Sequence, residues 1–326
     1  MAERKEAAMP GEAIETLHTV RDWFRYAVTR LGEAGVAFGH GTTNAVDEAA
    51  YLILATLKLP IDRLDPFLDA RLLEAERRAL AEVIAARIAT RKPAAYLTGE
   101  AYIGPYRFEV DERVIVPRSF IGELLVGDGL AAWIGEPRRI GRVLDLCTGS
   151  GCLAIIAALE LPHASVDAVD ISADALAVAA GNVASYGLEG RVSLFQGDLF
   201  APLGGARYDL VIANPPYVRA DALAAFPPEY RAEPAIAHAG GADGLDIVRR
   251  IIDGAAGHLA PEGSLLVEIG SGQETLIAHY PGLPFVWLDT EESEGEVFWL
   301  PANALGEARR PGKTAVKAPR NRDRSK

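Results

Sequence analysis

Cysteine is scarce in this 326-residue chain, with two in all, Cys147 and Cys152. Both fall in one glycine-rich stretch, too few and too local for a disulfide framework. No group of Cys and His stands at ligand spacing, so no metal site is expected. Long apolar runs are missing as well. None approaches the ~18 residues that cross a bilayer. The charged stretch Met1 to Gly11 has no apolar centre, so we expect no signal peptide there. These absences fit a reduced, cytoplasmic setting away from membranes. A basic surplus is lacking too, since the formal net charge is −12. From Glu307 to Lys326 eight Lys or Arg face two acids, a local +6 that leaves −18 on the rest. An acidic body of this kind argues against a broad duplex footprint, so direct DNA binding is not expected. It suits a basic protein partner.

What is present is ordinary globular material, 49% hydrophobic and 24% charged, long enough for two domains. Residues 1–11 read as a disordered N-terminus. From Ile14 to Leu31 apolar residues recur at three and four, the spacing of one amphipathic helix. Asn44 caps a second helix that runs to about Lys58, and a third spans about Leu73 to Arg91. Together they predict a helical domain over 12–95. Between 96 and 118 the period changes. Tyr102, Phe108, Val110, Val114 and Val116 read as strand residues, with Gly104-Pro105 as a turn. We expect a β-hairpin connector there. A larger domain then covers 119–305, and the basic stretch 306–326 reads as a disordered tail that could contact RNA.

From Gly141 onward strand and helix patterns alternate. Strands are expected at Arg142–Leu146, Val166–Asp170, Arg191–Phe195, Tyr208–Ala213, Ser264–Ile269, Phe285–Leu288 and Glu296–Leu300, the last two as an antiparallel pair. Repeated βα units imply an α/β fold with a doubly wound, mostly parallel seven-stranded sheet.

Two stretches carry chemistry. Asp145-Leu-Cys-Thr148-Gly149-Ser-Gly151 follows the first of these strands and opens a helix. Its glycines permit a tight turn and a close ligand approach. Asp170 ends the next strand, where a carboxylate can accept both ribose hydroxyls. An adenosine of either NAD or S-adenosylmethionine would suit these features. Asp198 and the stretch Asn214-Pro215-Pro216-Tyr217 favour S-adenosylmethionine, because a nicotinamide enzyme also needs a hydride partner. Pro215 and Pro216 cannot join a sheet ladder, so the chain leaves the sheet after Asn214, at the carboxyl end of its strand. The Asn214 side-chain oxygen and a backbone carbonyl of the Pro pair are two rigid acceptors for a planar NH2 group. Tyr217 offers a face on which that group can stack. The plainer alternative for the stretch is a strand-ending turn.

Taken together, the Gly149/Gly151 turn, Asp170, Asp198 and Asn214-Pro-Pro-Tyr217 resemble class I S-adenosylmethionine-dependent methyltransferases that modify nitrogen. The flanking residues, among them Val116-Pro-Arg-Ser119, Glu229-Tyr-Arg-Ala-Glu-Pro234, Gly240-Gly-Ala-Asp-Gly244 and Glu268-Ile-Gly270, are similar to the protein-(glutamine-N5) methyltransferases. Phe38-Gly-His-Gly-Thr42 and the Ser119 that follows Pro-Arg resemble the branch acting on ribosomal protein L-three, free or in an assembling large subunit. The other branch acts on release factors, and more distant alternatives are nucleic-acid amino-methyltransferases and a non-catalytic adenosine-binding protein. The resemblance implies that the helical domain recognises substrate. It also implies that Asn214, Pro215, Pro216 and Tyr217 hold the glutamine. Asp145, Thr148, Gly149, Gly151, Asp170 and Asp198 would serve the cofactor, with Asn214 where cofactor and substrate meet. Arg118 is expected to contact substrate or cofactor near the hinge, and His40 is expected to be a loop histidine or a contact for the substrate protein.

Overall fold

The computed structural model describes residues 10–126, 136–290 and 293–308. The first nine residues and the tail beyond 308 lie outside that description, and so does the expected RNA contact. Among the described residues no helix is long and apolar enough to cross a membrane.

The N-terminal region is a helical bundle. Its helices are α1 (Pro10–Thr16), α2 (Val20–Ala34), α3 (Ala45–Thr56), α4 (Glu74–Thr90) and the short α5 (Ala94–Thr98). Trp23, Leu31, Leu52, Ile53, Leu80 and Ile84 form its core. Two expectations need correction. Helix begins at Pro10, inside the segment read as disordered. The expected single helix 14–31 is two helices, because Thr19 starts a new one. Its hydroxyl accepts from Asp22 N–H while the Asp22 carboxylate accepts from Thr19 N–H at 2.9 Å, a reciprocal capping box. Asn44 caps α3 as the sequence predicts, accepting from Val46 and Asp47 N–H.

A two-stranded antiparallel hairpin follows, β1 (Glu100–Ile103) and β2 (Tyr106–Glu109), turning at Gly104. The expected strand character at Val114 and Val116 is not realised. Both are buried, but in irregular chain packed against the larger domain. Burial without a neighbouring strand gives the same apolar signature in sequence.

The larger domain holds β3 (Arg142–Leu146), β4 (Ser165–Asp170), β5 (Val192–Gln196), β6 (Tyr208–Ala213), β7 (Leu259–Glu268), β8 (Val286–Leu288) and β9 (Val297–Pro301). They form one sheet in the order β5-β4-β3-β6-β7-β9-β8. The first five strands are mutually parallel; β9 lies antiparallel between β7 and β8. Strand β7 begins at Leu259, five residues before the expected start. Pro261 to Gly263 is drawn into the strand beside a register irregularity against β6. Side chains alternate cleanly between faces. Val143, Leu210 and Ile212 join the core under the helix Cys152–Glu160, whereas Leu144, Val211 and Ala213 face the helix Asp246–Ala255. Strand order reverses between β3 and β6, so a crevice opens above their carboxyl ends.

Candidate active site

The crevice is a cavity of about 500 Å³. One wall is the turn after β3. Cys147, Gly149 and Gly151 all take positive φ, at 60°, 57° and 80°. A Cβ on Gly149 would meet nothing within 4 Å, so its face is open to the cavity. At Gly151 a Cβ would lie 3.1 Å from the Ala179 Cβ, where the helix Ala173–Ser185 packs close. Beneath the turn, Asp145 is fully buried and accepts from the Thr148 hydroxyl and from Ala154 N–H at 3.1 Å. Burial pushes its carboxyl up to about 7, against the pull of those hydrogen bonds. Asp145, Thr148 and Gly151 therefore shape the turn from below, and none of them lines the cavity.

Asp170 does line it. Its Oδ2 accepts from Gly149 N–H at 2.8 Å and its Oδ1 from Ser172 N–H at 2.9 Å. One carboxylate thus locks the glycine turn to the start of the next helix. Burial raises its pKa, and backbone hydrogen bonds pull the other way. Asp198 stands at the rim, half exposed, with Oδ2 2.7 Å from Arg250 Nη2.

The opposite wall is Asn214 to Tyr217. Asn214 Nδ2 donates to the Arg118 carbonyl at 3.3 Å. Its Oδ1 has no partner among the described residues and remains available as an acceptor. The Tyr217 hydroxyl donates to Glu268 Oε1 at 3.0 Å. Burial, then the Glu268 charge, keeps the phenol protonated well above its ordinary range. The glycines after this motif are required by its backbone. A Cβ on Gly244 would sit 2.4 Å from the Tyr217 carbonyl oxygen, and one on Gly240 2.8 Å from the Tyr217 carbonyl carbon.

Arg118 is held by a fork. Its Nη1 and Nη2 donate to Glu233 Oε1 and Oε2 at 2.6 and 2.7 Å. Glu233 also accepts from Val116 N–H at 2.9 Å, and its Oε2 lies 3.0 Å from His238 Nε2 and 3.5 Å from His40 Nε2. Burial alone would raise this carboxyl, but Arg118, His238 and His40 hold it well below the usual range. Arg118 lines the cavity. His40 lies in the loop between α2 and α3 and is buried there, its ring 4.2 Å from that of Tyr230. A Cβ on neighbouring Gly39 would meet the Tyr230 hydroxyl at 2.3 Å, so the Gly39–Gly41 loop needs glycine to approach this ring. A second buried acid, Glu229, accepts from Ala37 N–H at 2.9 Å and from Arg91 at 3.1 Å. The loop after β6 is thus pinned to the helical bundle by two carboxylates on one face.

Glu233, Glu268 and the lining residue Tyr230 stand in stretches similar to the family but carry no assigned role in the sequence, and the lining residue His238 lies outside those stretches. The usable signal was acids set among apolar or aromatic neighbours, Glu229-Tyr and Val-Glu268-Ile. Among the described residues no group of three or more His, Cys, Asp or Glu could hold a metal ion.

Residues 130–226 match the family described as methyltransferase small domain. The chain is 57% identical over 294 residues to the ribosomal protein uL3 glutamine methyltransferase of Bradyrhizobium diazoefficiens, covering 89% of this chain and 92% of that one. It is 55% identical over 291 residues to the protein of the same description from Bordetella pertussis, covering 89% and 97%. Among solved structures, a methyltransferase from Pyrococcus furiosus matches at 15% identity and a TM-score of 0.45, over 60% of this chain and 88% of that one. At such identity across nearly the whole length, the chain belongs to the family of ribosomal protein uL3 glutamine methyltransferases.

Proposed function

We propose that this chain transfers a methyl group from S-adenosylmethionine to the side-chain amide nitrogen of a glutamine in ribosomal protein uL3. The observation that carries this reading is the orientation of Asn214. Its amide nitrogen is committed to the Arg118 carbonyl, so its oxygen is left to accept from a substrate NH2.

The cavity fits the cofactor by the chemistry of its walls. Asp170 lines the cavity and would accept from a ribose, Ile171 and Leu199 offer apolar surface for an adenine ring, and the open face of Gly149 admits close approach. Asp198 keeps one oxygen beyond its Arg250 pair for the adenine amine. Asp145, Thr148 and Gly151 act at one remove, by holding the turn. When bound, the cofactor supplies an activated methyl on a sulfonium.

The rest is work for the protein. An amide nitrogen is a weak nucleophile because its lone pair is delocalised into the carbonyl. Catalysis therefore rests on placement and electrostatics rather than on a strong base. Asn214 Oδ1 and the Pro215 carbonyl accept the two amide hydrogens and hold the nitrogen toward the methyl. Pro216 stiffens the turn, and Tyr217 packs on the amide plane. The two acceptors favour the positive charge that builds on nitrogen as it gains the methyl, and the methylated nitrogen then releases its extra proton to solvent water. The helical region 12–95 recognises the protein substrate, a role supported by the contact of its Gly39–Gly41 loop with Tyr230 at the cavity. Two cysteines without a disulfide suit a cytoplasmic setting.

The test uses labelled S-adenosylmethionine with two acceptors, unmodified uL3 and an unmodified release factor, and mass spectrometry to place the methyl. Label on a uL3 glutamine alone supports the reading. Label on the release factor alone overturns the substrate, and label only on nucleic acid overturns the chemistry.

A further inference from the structure

Glu268 is the last residue of β7 and is only 1% exposed. No cation stands within ion-pair distance of it among the described residues. A buried acid without a cation costs stability, and an apolar residue would cost less. What the site does offer is three donors already aimed at the carboxylate, two hydroxyls and one backbone N–H. Oε1 accepts from the Tyr217 hydroxyl at 3.0 Å. Oε2 accepts from the Ser119 hydroxyl at 2.7 Å and from Phe120 N–H at 3.0 Å. Ser119 also caps the helix Phe120–Leu125, accepting from Ile121 N–H at 3.2 Å. An ionised carboxylate satisfies all three donors at once. A protonated one must turn a donor back on itself.

The neighbouring residue makes this arrangement pointed. The Arg118 carbonyl orients Asn214, and Ser119, through Glu268, holds Tyr217. Residues 118 and 119 therefore reach both functional side chains of the Asn-Pro-Pro-Tyr motif from a segment about a hundred positions upstream. We propose that Glu268 is a positioning residue for methyl transfer, its carboxylate fixing Tyr217 against the connecting segment so that the aromatic wall and the amide acceptor keep one geometry. This rests on the methyl-transfer reading above. A displacement of about 1 Å at a reacting group can cost roughly a hundredfold in rate, so the tie acts on turnover rather than on cofactor affinity.

The groups facing Glu268 are the Tyr217 phenol from the loop after β6 and Ser119 and Phe120 from the connecting segment. Arg118 and Glu296, the residue before β9, act on the Tyr217 phenol in opposite directions, the first lowering and the second raising it. Burial raises the Glu268 carboxyl to about 7, while Ser119 and Tyr217 hold it back. Turnover should then rise with pH through this range as the carboxylate forms.

The experiment compares the wild-type chain with Glu268→Gln, Tyr217→Phe, the double variant and Ser119→Ala, using uL3 as acceptor and calorimetry for the cofactor. Glu268→Gln should lower kcat about 10- to 100-fold with cofactor Kd within about twofold. Its pH limb near 7 should flatten. The double variant should be no slower than the slower single one, because both act as one unit. Ser119→Ala, which removes one donor, should lower kcat by a smaller factor and covers the case in which Glu268→Gln does not fold. Unchanged kcat in Glu268→Gln or Ser119→Ala, or losses that multiply in the double variant, would overturn the role. A wild-type chain that labels no glutamine overturns both this role and the reading it rests on.

Discussion

The two ends of the cavity are built from different materials. At the end proposed for the cofactor a short run, Asp145 to Gly151, folds on itself, and one further carboxylate, Asp170, closes it with two backbone N–H groups. At the end proposed for the substrate Asn214, Arg118 and Tyr217 are each held by something distant. Asn214 answers to a carbonyl 96 residues away, Arg118 to an acid 115 residues away, and Tyr217 to one 51 residues away. The first end is a local backbone device that any compatible sheet could carry. The second exists only when the bundle, the connector and the loop after β6 are assembled. Cofactor binding can therefore survive damage that destroys substrate placement.

The largest expected effect tests that dependence at Glu233. Glu233→Ala removes the carboxylate paired with Arg118 and leaves buried donors unmet, so urea denaturation should show a loss of about 3–5 kcal/mol. A loss below about 1 kcal/mol would mean the clamp is not structural. The pH sign is fixed by the depressed folded pKa. The unfolded carboxyl takes up its proton first, near the ordinary 4.5, so the stability it contributes is present above that value and drains away as pH falls through the folded pKa. Glu233→Gln should show a weaker acid dependence below pH 4.5 than the wild-type chain.

Next comes Gly244→Ala, whose φ of 83° and contact with the Tyr217 carbonyl both resist a side chain. We expect about 1–3 kcal/mol of lost stability and reduced turnover, with cofactor affinity retained. An equal fall in cofactor affinity would erase the distinction between the two ends. The smallest contrast lies within the cofactor end itself. Asp170→Asn should weaken cofactor binding about tenfold or more, because its partners are backbone groups in a buried site. Asp198→Ala breaks only a half-exposed pair with Arg250 and should cost about 1 kcal/mol of stability at most. Titration of each variant with cofactor would sharpen or reverse that order.

Local grammar explains what was legible in the sequence. The expected bounds of strands β3 and β6, set by Gly141 and by Pro215, match the structure, and Asn44 marks a helix start through its own side chain. The break at Thr19 was local too, yet the apolar spacing of Ile14 to Leu31 ran straight across it. Val114 and Val116 misled because burial, not pairing, explains them. Glu233 and Glu268 were out of reach for another reason. An acid is ordinarily a surface residue, and only the donors that converge on it from other segments reveal that it is buried. The same holds for His40, whose ring is covered by Tyr230 from the far domain.

The most direct measurement is made on Asn214→Ala, with calorimetric titration of the cofactor beside turnover on uL3. The account predicts a fall in turnover of about 10²- to 10³-fold, with cofactor Kd within about twofold of the wild-type chain. Turnover near the wild-type rate, or cofactor affinity that falls along with it, would contradict the assignment of Asn214 as the acceptor that places the glutamine.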